Sequence, residues 1–249
     1  MNIEIIPLKK EYEYFINRFP PVLSNKFLPE WYKQAKINTK GTHWVHETNN
    51  NLESPITAKS CPAIQDTVAE GIIIPLWGDL KLYTEPLSED NADVGGMQYW
   101  DMTSRFAVNE DLEPNHLYYH SKQQIDNMPL GLTKDNRLMK IGLPYKIVVP
   151  EGYNIYYTDP FYHFRNDIRI MSGIVEADKW GYITFPFSIL NDNFTIPAGT
   201  PLVQCFIYKR NEEKINLTVR NGNEEEYKNI SYEISDVMVT GKNYKTKKY

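Results

Sequence analysis

Apolar residues alternate with polar ones along much of this chain, most clearly between residues 172 and 210. Ile183, Phe185 and Phe187 alternate with Tyr182, Thr184 and Pro186, the period-two signature of a strand with one face buried. Leu202-Val203-Gln204-Cys205-Phe206-Ile207-Tyr208 forms a second such run. Between them, Asn191-Asp192-Asn193 is a turn cluster, and Pro197-Ala198-Gly199-Thr200-Pro201 combines fixed φ with a Gly free to take positive φ. Nothing in this stretch calls for a helix.

The rest of the chain repeats the pattern. Ile72-Ile73-Ile74-Pro75-Leu76-Trp77 is almost continuously apolar, which predicts a strand covered on both faces, and Gly78-Asp79 predicts a tight hairpin into Leu80-Lys81-Leu82-Tyr83-Thr84. Further strands are expected over residues 2–8, 97–101, 115–120, 138–141, 145–149, 154–157 and 215–220, with weak alternation over 232–239. Residues 62–70 form the best helix: Pro62 opens it, Ile64 and Val68 share a face, and Gly71 closes it. A shorter helix is expected within residues 24–34, with Trp31 as its buried ring. Short strands separated by Gly, Pro and Asn turns predict a mainly β fold, a distorted jelly-roll or β-clip-like sandwich with one or two short helices. The expected organisation is one β-rich domain over residues 1–240, with helical insertions near 24–34 and 62–70, and a basic mobile tail over 241–249.

Composition adds limits. At 249 residues a single β domain is large enough to need no staples, and two cysteines, Cys61 and Cys205, are too few for a disulfide framework. The net charge of -5 leaves no electrostatic footprint for nucleic acid except in the tail, at Lys242, Lys245, Lys247 and Lys248. No apolar run reaches the length of a membrane span and no basic leader precedes an apolar core, so no membrane partner and no signal-peptide secretion are expected. Eighteen Tyr, ten Phe and five Trp favour β structure and contact surfaces.

Two constellations carry candidate chemistry. On one strand His116 and His120 would share a face, and with His163 from another they would suit zinc or iron; hydrogen-bonded or surface histidines are the competing reading. His43 and His46, three apart, would point to opposite faces of a strand. Glu176 and Asp178, two apart in a glycine-framed turn, are the acid–base candidates, because mutual repulsion could raise one pKa; local amide bonding is the alternative. No Gly-x-Ser-x-Gly elbow, Walker loop or dinucleotide turn occurs.

The order Gly173-Ile174-Val175-Glu176, Asp178, Gly181 and then Phe194-Thr195-Ile196-Pro197-Ala198-Gly199-Thr200-Pro201-Leu202-Val203-Gln204 resembles the late segment of the β-clip superfamily of dUTPases and dCTP deaminases. That resemblance implies a β-clip fold, which commonly trimerises. If its chemistry were kept, Glu176, Asp178, Gln204 and a ring such as Trp180 would line a nucleotide pocket, with Arg165 as a further ligand-binding candidate and a divalent metal on the phosphates. Yet Glu176 stands where the family's turn carries its water-activating Asp, Lys179 where it has a base-stacking Tyr, and Arg165-Asn166-Asp167 where an Arg-Ser-Ser motif is expected. From Cys61-Pro62-Ala63-Ile64 through residues 71–77 to Pro150-Glu151-Gly152-Tyr153 the chain also resembles a family of uncharacterised tailed-phage proteins. Together these imply a non-enzymatic binding or assembly module without a cofactor, acting as a homo-oligomer or with phage particle proteins in host cytoplasm or virion. A nucleotide-binding enzyme or sequesterer is the alternative.

Overall fold

The computed structural model describes residues 1–36, 57–84, 98–103, 117–119, 128, 138–191, 194–211 and 215–240. They belong to two compact units, one of residues 1–33 and 68–210, the other of residues 34–67 and 211–249. In chain order the elements are β1 (Glu4–Pro7), α1 (Glu13–Arg18), β2 (Val22–Leu23), α2 (Glu30–Gln34), α3 (Pro62–Ala69), β3 (Ile72–Pro75), β4 (Asp79–Thr84), β5 (Gln98–Thr103), β6 (Leu117–Tyr119) and β7 (Leu138–Gly142). They continue with β8 (Tyr145–Val148), β9 (Tyr153–Thr158), β10 (Ile168–Ile170), β11 (Gly173–Val175), β12 (Thr184–Ile189), β13 (Phe194–Ile196), β14 (Pro201–Lys209) and α4 (Glu224–Thr240).

The first unit is a β-rich sandwich of antiparallel strands. Its two larger sheets run β11-β9-β14-β3-β2 and β10-β12-β7-β6; β13-β4-β5 and β1-β8 form smaller ones. Period-two patterning decides which side chains meet. Phe185 and Phe187 of β12 and Met139 and Ile141 of β7 join Ile155 and Tyr157 of β9, Val203 and Cys205 of β14, and Ile72 and Ile74 of β3 in one buried cluster. The Tyr157 ring meets Phe185 edge-on at 5.0 Å. Each such side chain, taken from water to full burial, contributes roughly 1.5–3 kcal/mol. Ile73 is buried as well although it points the other way from Ile72 and Ile74, so β3 is covered on both faces, as its apolar run predicts.

Most of the expected elements are present within a residue or two of their predicted bounds, including both strands of the 172–210 stretch and the helix opened by Pro62. Four expectations are corrected. Gly78-Asp79 does not close a hairpin: β3 pairs with β14 and β2, whereas β4 pairs with β13 and β5. The chain changes sheets there because Leu76 is tied on both sides to the Gly199 corner, donating to Thr200 O at 2.8 Å and accepting from Gly199 N at 2.7 Å. Asp79, buried, then accepts from Ala198 N at 2.9 Å, so it caps that corner. In α2 the buried ring is Tyr32, and Trp31 is half-buried.

The other two corrections concern the second unit. Residues 215–220 carry no strand pairing, and the weakly alternating 232–239 stretch belongs to the 17-residue helix α4. A reciprocal cap starts that helix: Asn223 Oδ1 accepts from Glu226 N at 2.9 Å while Glu226 Oε2 accepts from Asn223 N at 2.8 Å. Arg220 grips the same carboxylate with both amino groups, at 2.9 and 2.6 Å. Among the described residues no helix is long and apolar enough to cross a membrane.

Candidate functional site

The acidic turn leaves β11 at Val175 and returns toward β12. Its backbone closes on Glu176, whose carbonyl accepts from Lys179 N at 3.0 Å and Trp180 N at 2.9 Å. That winding puts Glu176 and Asp178 beside Arg210, the residue just beyond β14, because β14 pairs with β9 and β9 with β11. Arg210 Nη2 donates to Asp178 Oδ1 at 2.6 Å, and its Nη1 lies 3.7 Å from Glu176 Oε2. Lys179 Nζ sits 2.5 Å from the same Glu176 oxygen. Asp178 Oδ2 accepts from Gly152 N at 2.8 Å, Gly152 O accepts from Arg210 N at 2.7 Å, and Arg210 Nε donates to Asn154 Oδ1 at 2.9 Å. Gly152 has φ +78, a left-handed bend suited to Gly, and this bend presents its amide to Asp178.

The electrostatics of this turn run opposite to the expected repulsion. The Lys179 ammonium, and then Arg210, hold Glu176 below the usual carboxylate range. Asp178 is held down first by the Gly152 amide, with Arg210 adding to it. Both groups are therefore anions with cationic partners at neutral pH, and neither is tuned upward as a proton acceptor poised near neutrality would be. Trp180, in the same turn, is 65% exposed.

The remaining candidates lie elsewhere. Gln204 is paired with Thr158 on β9, six residues before Arg210, which places it about 20 Å along the strand from the acidic network. Its carboxamide is already engaged: Oε1 accepts from Phe161 N at 3.0 Å, and Nε2 donates to Glu70 O at 2.9 Å. Arg165 belongs to this end of β14, donating from Nε to Asp167 Oδ1 at 2.7 Å and from Nη1 to Pro201 O at 3.3 Å. Its Nη2 is buried without a hydrogen-bond partner. His163 is half-buried in the same loop, its ring 6.5 Å from that of Phe27, and burial lowers its pKa. Thus Glu176, Asp178 and Trp180 share one turn, Gln204, Arg165 and His163 share a loop and strand end, and the two groups are apart. His116, His120 and the tail lysines lie outside the described residues. Among the described residues no three His, Cys, Asp or Glu side chains are grouped to hold a metal ion.

Sequence reasoning passed over three participants. Arg210, Gly152 and Asn154 reach the acidic turn only through strand register, which residue spacing does not encode. Asp159 was passed over too: it is pushed up by burial while accepting from Ile170 N at 3.0 Å. The loop that follows holds two aromatic residues at positive φ, Tyr162 at 63° and Phe164 at 49°, a strained conformation braced by Trp31 Nε1 donating to Tyr162 O at 2.7 Å.

No family model matches this chain, and no curated protein does. Among solved structures, a native EIAV dUTPase is similar to it, at 18% identity and a TM-score of 0.28, over 34% of this chain and 72% of that one. The likeness is distant.

Proposed function

We propose that this protein is a non-enzymatic binding or assembly module on a β-sandwich scaffold, with the phage particle suggested by its sequence resemblance as the finer setting. One observation carries the reading: the polar groups that would serve a nucleotide are spent on the chain itself. Asp178 is held by Arg210 and the Gly152 amide, Glu176 by Lys179, and Gln204 by Phe161 and Glu70. A substrate would have to displace charge-assisted bonds that are already short. Solvent-facing apolar side chains, Ile174, Trp180 and Phe164 among them, give a module contact area.

The test is a thermal-shift panel of nucleoside triphosphates, cyclic nucleotides and divalent metals. A flat response is expected. A ligand present at about 100 times its Kd would stabilise the fold by about 2.7 kcal/mol, and a shift of that size would overturn the module in favour of a nucleotide-binding protein.

A further inference from the structure

Among the described residues β10 is the outer strand of its sheet, paired with β12 on one side only. Antiparallel pairing sends alternate backbone groups toward the partner strand and away from it. Asp167 O accepts from Leu190 N at 2.8 Å and Met171 N donates to Pro186 O at 2.8 Å, so the odd-numbered residues face β12 and the amides of Ile168 and Ile170 face outward. Both outward amides end on carboxyl groups. Ile168 N donates to Asp167 Oδ1 at 2.7 Å, and Ile170 N donates to Asp159 Oδ1 at 3.0 Å. An outer strand with bare amides is a template for a further strand, and these two amides are already taken.

The segment that supplies these carboxyl groups is held in place at a cost. Residues 159–167 join β9 to β10, and they contain both aromatic residues at positive φ, Tyr162 and Phe164. Arg165 serves both acids: its Nε donates to the Asp167 oxygen that accepts from Ile168 N, and its charge acts on Asp159 as well. In that position its Nη2 is buried without a hydrogen-bond partner. The segment is tied to the elements around it by Arg165 Nη1 on Pro201 O, Trp31 Nε1 on Tyr162 O, and Asn191 Nδ2 on Asn166 O at 2.5 Å. A connection that only bridged two strands would need neither the strain nor the unpaired guanidinium nitrogen. One that must set two side chains on two particular amides has a reason for both.

We propose that residues 159–167 are a built-in cover for the free edge of β10, in which Asp159 and Asp167 occupy the two amides that a strand of a second copy of this chain would otherwise take. Their oxygens meet the outward N–H groups as the carbonyls of a neighbouring strand would, but a side chain brings no backbone that could continue the sheet. The proposal goes beyond the module reading: it removes this edge from whatever assembly the module makes, and it stands or falls without that reading.

Asp159→Ala with Asp167→Ala bares both amides, whereas Asp159→Asn with Asp167→Asn keeps an accepting oxygen on each. Amide exchange of the full chain at about 1 µM, read residue by residue by mass spectrometry, should quicken at least about tenfold at Ile168 and Ile170 in the alanine pair relative to the asparagine pair. Arg169 and Met171, bonded to β12, should keep their rates. Should the alanine pair not fold, Asp159→Ala alone bares only Ile170 and should quicken exchange there and not at Ile168. Sedimentation velocity between about 1 and 200 µM should show the alanine chain gaining mass with concentration beyond the parent, and the asparagine chain following the parent. Arg210→Met, which removes an ion pair at the far end of β14 and leaves the edge covered, should also follow the parent, which separates strand addition from a general loss of stability. Unchanged exchange at the bared amides, no added mass in the alanine chain, or an equal gain in Arg210→Met would each overturn the cover. The nucleotide panel reads a different property, so neither of its outcomes stands in for these.

Discussion

Arg210 Nη2 lies 2.6 Å from Asp178 Oδ1, joining the residue after the last long strand to the turn that follows β11. The contact has a defined pH dependence. Asp178 and Glu176 are both held below their ordinary values of 3.8 and 4.5, so the stability they add is complete above those values and is lost as pH falls through the folded ones. Arg210→Met removes one cation from both carboxylates and leaves Lys179 and the Gly152 amide in place. Urea midpoints measured from neutral pH down to about pH 2 should therefore decline less steeply in the variant, from a lower neutral starting point. Parallel curves for the two proteins would show that the pair is solvated.

Gln204 is placed as a structural strut. Gln204→Leu keeps the volume and deprives the Phe161 amide and the Glu70 carbonyl of their partner. The expected cost is about 1–3 kcal/mol, read as a lower urea midpoint with unchanged slope. A variant as stable as the parent would return Gln204 to the pool of ligand-binding candidates.

Gly71 ends the first strongly predicted helix, and its role exceeds that of a cap. At φ +77 it sits in the left-handed region, and an added Cβ would overlap the carbonyl oxygen of Cys205 on β14. Both terms act against Gly71→Ala, so a loss of at least about 3 kcal/mol is expected in equilibrium unfolding. Gly152→Ala is the informative control: it shares the positive φ, at +78, but has open space around its Cβ, so it should lose less.

How much of this could be read from residues alone follows from what pattern encodes. Phe185 and Phe187 alternate because one face of β12 packs into the core, and that local regularity is visible in the sequence. The separation of β3 from β4 is not, because it depends on Leu76 and Asp79 meeting a corner more than a hundred residues away. The same holds for Arg210, whose partner is set by the register of three strands. Helix α4 was legible in principle: Asn223 and Glu226 stand at capping-box spacing ahead of a three-four-three apolar stripe. Its Ile, Val, Thr and Tyr content favours strands, and that propensity masked the longer period.

His163 supplies a titration in a window of its own. Burial lowers its pKa from 6.5, opposed by a backbone hydrogen bond involving Phe27 and assisted by the Arg165 and Lys33 charges. With the folded value depressed, the unfolded chain takes up the proton first. Stability is therefore full above pH 6.5 and declines as pH falls from there toward the folded value. His163→Gln removes the titration while keeping a polar side chain of similar size. Its unfolding midpoint should decline less than the parent's across that window, where the raised Asp159 carboxyl acts with the opposite sign, and the later decline owed to Glu176 and Asp178, which begins below 4.5, should persist. If the parent shows no slope between 6.5 and 4.5, His163 is open to solvent in the folded protein, and its loop is looser than the Phe27 contact implies.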